Sequence, residues 1–451
     1  MSILSIPLFK QNRFLLPILL LVIFVTLVPT IKSPIKHTFE YDPDEGFELM
    51  KSLLFLNGFS LYKEISNDQP PLFTLILSSW FKLFNPSAYH GRMLILIFSV
   101  ILLLAFYGTI KNLWGNFCAI MAVIFLLLSS VYLRLSTSIM IGTLALSFVM
   151  LALYFLTLYR KSRWEHYLIL SGIFFGLSVS TKLFAIFILP LIILEIIQAN
   201  KKSHAVFLWL LSFLIASLSI IALFFQFNFG MLMQSLFQPH LKRLDLPGCN
   251  FLLIWRMILT DYDTALLALI GIILLLRQRR YGSFFPLWCL ALTLFILLIY
   301  RPVWYHYYLP VSVTLSWLAA IGFSKFFHLD LRQGWFARKN KSILDIFLRW
   351  ITAVIIILAI LRLPGKYRRM HQSVWGETTV EECKAVELLS KYREHTHWIF
   401  TDRPIFAFYA NILVPPELVL ITWKRKFTEP LEQSYLIDML QKYKPELILL
   451  T

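Results

Sequence analysis

Long apolar segments recur along this chain and leave few folds open to it. Several approach the roughly 20 residues that a helix needs to cross a bilayer. Of the 451 residues, 58% are hydrophobic and only 15% are charged, a composition that excludes a soluble domain of this size. The sequence therefore predicts a mainly α, polytopic membrane helical bundle. Twelve segments can be distinguished, near residues 13–31, 72–84, 92–110, 117–133, 138–159, 164–181, 183–199, 205–226, 263–276, 283–300, 306–324 and 343–363.

The distribution of basic residues predicts how many of these segments cross. The net charge of +17 does not indicate a nucleic-acid partner, because the basic residues form short clusters between apolar segments, as the positive-inside rule requires. With twelve crossings and a cytoplasmic N-terminus, four clusters would face outward. The conflict disappears if segment 72–84 does not cross. Its 13 residues form about 20 Å of helix, which is too short for a bilayer hydrocarbon core of about 30 Å. If this segment lies along the outer leaflet, about eleven spans remain; twelve spans are the alternative.

Composition also divides the chain. Residues 1–363 are expected to form the transmembrane domain, with 32–91 as its first outer loop. From Pro364 onward the charge density rises, and alternating helices and strands predict a small extracytoplasmic α/β domain over 364–451. The protein is thus expected to be a multi-pass protein of the inner or plasma membrane, with a cytoplasmic N-terminus and an extracytoplasmic C-terminus. The predicted tail elements are helices at 380–392 and 436–442 and strands at 397–401, 418–422 and 446–450.

The same topology places two of the four cysteines, Cys249 and Cys383, on the outer side. Extracytoplasmic space favours disulfides, so a bridge between them is one alternative. Packing of Cys383 on the tail helix is the other.

An acidic cluster follows the first apolar segment. Asp42, Asp44 and Glu45 lie within four positions, and charged groups near lipid tend to be kept where they have a function. Apolar residues then recur at helical spacing over 47–57, which predicts an amphipathic helix on the membrane surface, ended by Gly58. The alternative is a solvated loop in which Asp44 only caps the helix.

Further polar residues are expected on the same outer face. Together they suggest transfer from a lipid-linked phosphate donor, in which a carboxylate is the general base and cations neutralise the leaving phosphate. Each also has a structural interpretation: Arg92 snorkels to headgroups, Lys182 anchors a helix end, and His306 is a hydrogen-bonded core histidine. These residues are Tyr62, Asp68, Gln69, Arg92, Lys182, Arg301, Tyr305 and His306.

Short motifs in a fixed order give the chain a family resemblance. Asp-Glu-Gly at 44–46, Gly-Phe-Ser-Leu-Tyr at 58–62, Asp-Gln-Pro-Pro-Leu at 68–72 and then Arg92 resemble the bacterial relatives of protein O-mannosyltransferases and the lipid A aminoarabinose transferases. These are polytopic glycosyltransferases of the C superfamily. Later motifs resemble that group as well, so that the likeness covers nearly the whole chain: Ser171-Gly172, Gly176-Leu177 before Thr181-Lys182, Arg301-Pro302 with His306, and Tyr443 to Glu446.

The resemblance implies a role for each outer residue. Asp44 would be the catalytic base, with Glu45 beside it positioning the acceptor or stabilising positive charge on the sugar. The donor phosphate would lie among Arg92, Lys182, Arg301 and Gln69. The remaining residues would contact substrate: Asp42, Tyr62, Asp68, Tyr305 and His306.

Two departures from the family pattern matter. The aminoarabinose transferases tend to have Lys where this chain has Gln69, so the phosphate must rely on other cations. The second outer loop, which often carries an Asp, here begins with Arg134 and has no acid. A two-carboxylate metal site is therefore not expected, and we predict no cofactor and no required divalent ion.

These expectations define one enzyme and two alternatives. The enzyme would move a sugar from a polyprenyl-phosphate donor to a lipid, glycan or protein acceptor on the outer face, inverting the anomeric carbon. A flippase or transporter without chemistry is the first alternative, but it predicts internal symmetry and mid-membrane charges, and neither is evident. The second is an assembly subunit with a vestigial acidic loop. Apart from donor and acceptor, only membrane lipids are expected as partners.

Overall fold

The structure is a computed structural model, and it describes residues 35, 38–199, 203–225, 228–241, 250–278, 284–301, 303–331, 343–374, 378–421 and 433–451. Most of these residues are helical, as the composition predicts. The predicted first span at 13–31, Cys249 and the basic pair Lys201-Lys202 lie outside the described residues.

The bundle begins with two helices of the first outer loop. They are α1 (Asp44–Leu56) and α2 (Leu72–Phe84). The next helices are α3 (Ala88–Trp114), α4 (Asn116–Leu127), α5 (Ser130–Leu135), α6 (Ile141–Ser162), α7 (Glu165–Thr181), α8 (Leu189–Ala199) and α9 (Ser203–Phe225). A 3₁₀ turn over Leu183–Ile188 joins α7 to α8.

The second half of the bundle follows α9. It is preceded by short helical turns over Phe229–Leu232, Met233–Phe237 and Gln238–Leu241. The helices are α10 (Asn250–Thr260), α11 (Tyr262–Gln278), α12 (Phe285–Ile299), α13 (Leu309–Leu331) and α14 (Ile343–Val374). A 3₁₀ turn over Tyr305–Tyr308 leads into α13.

Four described helices are long and apolar enough to cross a membrane, and the count is five if the bent pair α10–α11 is one span. Segment 72–84 forms a 13-residue helix over the predicted residues. Other predicted spans are short helices or are broken: 117–133 divides into α4 and α5, and 183–199 begins as a 3₁₀ turn. The total of eleven therefore remains a prediction.

Ion pairs distinguish the two ends of the bundle. Arg160, near the end of α6, pairs with Glu195, and Lys161 donates to Asn112 Oδ1 at 2.8 Å. Gly142 lies at the other end of α6 beside Lys182, about 27 Å away along the helix. The basic cluster at 160–163 and the outer polar residues are therefore at opposite ends, as the predicted topology requires.

The tail packs directly on the first outer loop. It contains α15 (Val380–Lys391), β1 (Ile399–Thr401), α16 (Pro404–Ala410), α17 (Gln433–Tyr443) and β2 (Leu447–Leu449), with β1 and β2 parallel. The predicted helices and two of the three predicted strands are present. The strand at 418–422 is wrong in its described part, since Pro416–Leu418 is a 3₁₀ turn, and α16 was not predicted.

The predicted boundary at 363/364 falls inside α14, which continues through Pro364 to Val374. Proline in this position removes one helical hydrogen bond without ending the helix. Cys383 is exposed on α15, and its proposed pairing with Cys249 stays untested because Cys249 is not described.

Helix α1 is more enclosed than an interfacial helix would be. Every residue from Glu45 to Leu54 is buried, including polar ones that the periodicity placed on the exposed side. Helix α16 covers one face of α1 so closely that a Cβ on Gly46 would lie 2.7 Å from the Ile405 backbone nitrogen, and Asn67 covers Lys51 on another. Loop and tail share one hydrophobic core, and α1 lies between the tail and the bundle.

Candidate active site

Glu45 and Arg92 form a closed ion pair beneath the acidic loop. Their side chains are 0% and 1% exposed, and Arg92 Nη2 lies 2.8 Å from Glu45 Oε2. Glu45 also accepts from the backbone N–H groups of Tyr41 and Ile139, at 2.9 and 2.8 Å. The remaining Arg92 N–H groups donate to Glu45 Oε1 and to the carbonyls of Ile35, Thr38 and Phe39. The pair therefore has no free donor or acceptor for a substrate.

Asp44 has the opposite environment, although it is the next residue. It is the first residue of α1 and half-buried, and its carboxylate accepts no hydrogen bond from the described residues. It does not cap the helix, because Asp42 Oδ1 accepts from the Asp44 N–H at 3.0 Å instead. Burial, followed by the charges of Asp42, Glu48 and Asp68, raises the pKa of Asp44 to about 7. A free carboxylate with a pKa near neutrality suits a general base.

Asp42 links the acidic loop to the turn at 305–308. The Tyr305 hydroxyl donates to Asp42 Oδ2 at 2.5 Å. Arg134, from α5, lies 4.0 Å from the same oxygen and places its guanidinium 4.2 Å from the centroid of the Tyr305 ring. Burial raises the pKa of Asp42, while the Tyr305 hydrogen bond opposes that rise.

A second ion pair lies one turn along α1. Lys51 Nζ is 2.7 Å from Glu48 Oε1 and 3.0 Å from Asn67 Oδ1, with Lys51 only 1% exposed. Glu48 Oε2 is buried without a hydrogen-bond partner among the described residues, and burial raises the pKa of Glu48. Because Glu48 follows Asp44 by four positions, the two carboxylates share one helix face.

The loop at 61–69 is held by its own polar groups. The Tyr62 hydroxyl and Asn67 Nδ2 both donate to the Gln69 carbonyl, each at 2.7 Å. Tyr62 therefore supports the backbone of this loop. Gln69 takes part in these two hydrogen bonds through its main-chain carbonyl, not through its side chain. Asp68 in the same loop acts through its charge on Asp44 and Glu48.

A cavity of about 130 Å³ opens beside this polar cluster. Apolar side chains of α6, α12 and the turn at 183–188 form most of its wall. Lys182, His306 and Tyr307 are its polar lining residues besides Thr293, and Lys182 Nζ is 4.6 Å from the centroid of the Tyr307 ring. The charges of Lys182 and Arg134 both act on His306.

The structure thus assembles most of the predicted residues, though not all in the predicted roles. Contacts and charge interactions join six of them into one cluster, of which Lys182 and His306 also line the cavity: Asp42, Asp44, Asp68, Lys182, Tyr305 and His306. Arg92 and Glu45 instead form the closed ion pair described above. Arg301 has a buried Nε with no hydrogen-bond partner among the described residues, and no contact given by the structure joins its side chain to Asp44.

Sequence reasoning missed four residues of the cluster: Glu48, Lys51, Arg134 and Tyr307. The periodicity over 47–57 places Glu48 and Lys51 away from the apolar face of an interfacial helix, whereas the structure buries both. Arg134 lies in the second outer loop, whose most evident feature in the sequence is the lack of an acid. Its position between two predicted helices was the signal that could have identified Arg134 as a residue of the site. No group of three or more His, Cys, Asp or Glu side chains within the described part of the chain is arranged to hold a metal ion.

Comparison with known proteins gives one family match. The family described as "Dolichyl-phosphate-mannose-protein mannosyltransferase" matches residues 68–225, which include α2 and the helices up to α9. No sequence among curated proteins matches the chain significantly.

Solved membrane enzymes share the fold. ArnT from Cupriavidus metallidurans, bound to undecaprenyl phosphate, superposes with a TM-score of 0.62 at 13% identity, over 89% of this chain and 85% of that one. Its apo state gives 0.63 at 14% identity, over 89% and 84%. The archaeal oligosaccharyltransferase AglB from Archaeoglobus fulgidus, in complex with an inhibitory peptide and a dolichol-phosphate, gives 0.57 at 13% identity, over 96% and 68%.

At these identities the structural likeness establishes the fold, that of an integral membrane protein. The family match covers the segment in which the sequence motifs from 68 to 182 lie, and the two findings confirm the resemblance drawn from those motifs. The chain therefore resembles the C superfamily of polytopic glycosyltransferases in fold, and residues 68–225 resemble it in sequence as well.

Proposed function

We propose that this protein transfers one sugar from a polyprenyl-phosphate donor to an acceptor on the outer face of the membrane. The observation that carries the proposal is the cavity, whose mostly apolar lining includes Lys182, His306 and Tyr307. An apolar cavity with a cation in its wall fits the part of an amphiphile where an isoprenoid chain meets a phosphate head. Asp44, a carboxylate of raised pKa, acts by its charge on Tyr307 of this lining.

Transfer requires few steps from the protein. The acceptor hydroxyl gives its proton to Asp44, and its oxygen attacks the anomeric carbon. The bond from that carbon to the phosphate oxygen breaks, and the electron pair leaves with the polyprenyl phosphate. Because the new bond forms as the old one breaks on the opposite side, the anomeric configuration inverts. Cations near Lys182 stabilise the charge that develops on the phosphate.

Glu45 and Arg92 have a different part in this proposal from the one the family resemblance implies. Their hydrogen bonds are complete within the protein, so neither is proposed to touch sugar or phosphate. They hold the backbone on both sides of Asp42 and Asp44, and they therefore fix where the base points. Asp42, Tyr305 and Asp68 remain proposed substrate contacts.

The neighbours support a lipid-phosphate donor, because ArnT was solved bound to undecaprenyl phosphate and AglB in complex with a dolichol-phosphate. Since no group of three or more His, Cys, Asp or Glu side chains in the described part of the chain is arranged to hold a metal ion, we also propose that transfer needs no divalent ion. The acceptor class is left open among lipid, glycan and protein hydroxyls.

The test uses purified protein in liposomes with a panel of radiolabelled polyprenyl-phosphate sugars and candidate acceptors. Label moving from the lipid to an acceptor or to water, with release of polyprenyl phosphate, supports the proposal. Movement of intact donor between leaflets without cleavage would identify a flippase and overturn it. If no donor in the panel is cleaved, moved or bound, the assembly-subunit alternative gains and the enzyme proposal fails.

A further inference from the structure

We infer that Arg134 is a donor-phosphate ligand of this chain, acting together with Lys182. The inference rests on the proposed function, since it names a residue that would hold the phosphate in that reaction. Arg134 lies in the outer loop that lacks the acid usual in the family, so the assignment comes from the contacts of this protein.

The hydrogen bonds of Arg134 leave most of its guanidinium unused. Only Nη2 donates within the described residues, to the Tyr41 carbonyl at 2.7 Å. Nε is buried without a partner, and the side chain as a whole is 29% exposed. Arg92, by contrast, uses every N–H group and is 1% exposed. Arg134 can therefore still offer the planar pair of N–H groups that binds a phosphate in two places.

An aromatic turn holds both Arg134 and Lys182 close enough to His306 for their charges to act on it. Arg134 lies over the ring of Tyr305, and Lys182 lies over the ring of Tyr307, at 4.2 and 4.6 Å from the centroids. His306 stands between these tyrosines in the sequence, with its ring centroid 4.5 Å from that of Tyr307. Cation–π contacts place positive charge without consuming hydrogen-bond donors, so the contact with Tyr305 leaves the N–H groups of Arg134 available to an anion near His306.

The helix that carries Arg134 is firmly anchored. Asp261 accepts from the hydroxyls of Ser129 and Ser130 at the start of α5, at 2.8 and 3.1 Å. Lys366 of α14 lies 2.7 Å from the same carboxylate. This buried network fixes α5 against two other helices, so that Arg134 is presented in one position. A prepositioned cation loses less entropy when it binds a ligand.

These positions give a direction for the bound donor. The isoprenoid chain would occupy the apolar cavity, and the phosphate would lie near His306, between Lys182 and Arg134. The sugar would then extend past Arg134 toward Asp42, which is 4.0 Å from that guanidinium, and toward Asp44. Arg134 would thus lie between the lipid end of the site and the carboxylate end, at the position of the leaving phosphate.

The experiment compares the binding of undecaprenyl phosphate and of undecaprenol, which lacks the phosphate, to purified protein in detergent. The variants are Arg134→Gln, Arg134→Lys and Arg92→Lys. A matched control is Arg163→Gln, whose arginine is exposed at the opposite end of the bundle. We expect Arg134→Gln to weaken undecaprenyl phosphate binding by about 10- to 100-fold, the scale of charge-assisted hydrogen bonds, and Arg134→Lys to weaken it less. Undecaprenol binding and the melting temperature should not change.

Three results would overturn the inference: unchanged phosphate-lipid affinity in Arg134→Gln, an equal loss for undecaprenol, or a loss confined to Arg92→Lys. Wild-type protein that does not distinguish undecaprenyl phosphate from undecaprenol would instead count against the proposed donor class. The two failures are therefore separable.

Discussion

Asp44 and Glu45 are neighbours in sequence, yet they occupy two different regions of the molecule. Successive residues of a helix point about 100° apart, so the first turn of α1 directs Glu45 to Arg92 and Asp44 to the charges of Asp42, Glu48 and Asp68. Glu45 is fully buried and accepts from four N–H groups. Asp44 is half-buried, accepts none from the described residues, and its pKa is raised to about 7.

The difference teaches that a buried charge with complete hydrogen bonds supports structure, whereas a charge with unused bonding capacity is available for chemistry. The arginines repeat the contrast, since Arg92 is saturated and Arg134 is not. Perturbed carboxylates in clefts are candidates for function. The predictions below test this division of roles.

The largest effect is expected from breaking the buried ion pair of Glu45 and Arg92. Arg92→Met leaves the Glu45 carboxylate buried without its cation, and breaking such a pair costs about 3–5 kcal/mol. We expect the melting temperature in detergent to fall sharply, with loss of folded protein. Glu64→Gln, at an exposed carboxylate of the same outer loop, should leave it unchanged. A stable Arg92→Met protein with weakened lipid binding would reverse the assignment.

A smaller loss should follow from separating the tail from α1. Gly46→Ala adds a methyl group 2.7 Å from a backbone nitrogen of α16, and overpacking of this kind costs about 1–3 kcal/mol. Limited proteolysis should then cleave the tail faster than in wild type. Gly58→Ala is not a matched control, because Gly58 has a positive φ of 95°. Gly365→Ala is better, since it meets no neighbouring atom.

The pH dependence of transfer tests the region of Asp44. A general base must be deprotonated, and its pKa is about 7. Transfer should therefore rise with pH through about 7 and level off above it. The charges facing Asp44 are those of Asp42, Glu48, Lys51 and Asp68, with Tyr305 and Tyr307 from the turn at 305–308.

Glu48→Gln sharpens this prediction. It removes a negative charge near Asp44 and frees the positive charge of Lys51, and both changes lower the pKa of Asp44. The rise in transfer should move to lower pH, whereas Glu64→Gln should not move it. A profile that stays in place, or moves to higher pH, would disconnect Asp44 from the observed titration.

The smallest effect is expected from chelation. Because the cations of this site are side chains, EDTA followed by repurification should leave transfer within about twofold of the untreated enzyme. Restoration of a lost activity by Mg²⁺ or Mn²⁺ alone would show that a metal ion supplies the charge that we assign to Arg134 and Lys182.

Much of the fold could be predicted from the sequence, because apolar segments of known length and caps encode helices locally. Helix α2 lies at the predicted residues, and α15 begins with the capping box of Thr379 and Glu382. The strand at 418–422 failed because β propensity does not reveal which segments pair, and β1 pairs with β2 instead.

The sequence predicted which residues form the site better than it predicted the role of each residue. Hydropathy and topology brought Asp42, Asp44, Lys182 and His306 to one face, but they carry no information about which charges neutralise each other. That Arg92 reaches Glu45, 47 positions away, depends on how α3 packs against α1. The burial of Lys51 depends likewise on the loop at 61–69, since its Nζ reaches Asn67, 16 positions later in the chain.

The most direct test compares Asp44→Asn with Glu45→Gln in one preparation, measuring transfer per folded molecule beside the melting temperature. We predict that Asp44→Asn melts as wild type does or higher, and transfers about 10²–10⁴-fold more slowly, the scale for loss of a general base. Glu45→Gln should melt lower and keep most of its transfer per folded molecule. Wild-type turnover in Asp44→Asn would contradict the account.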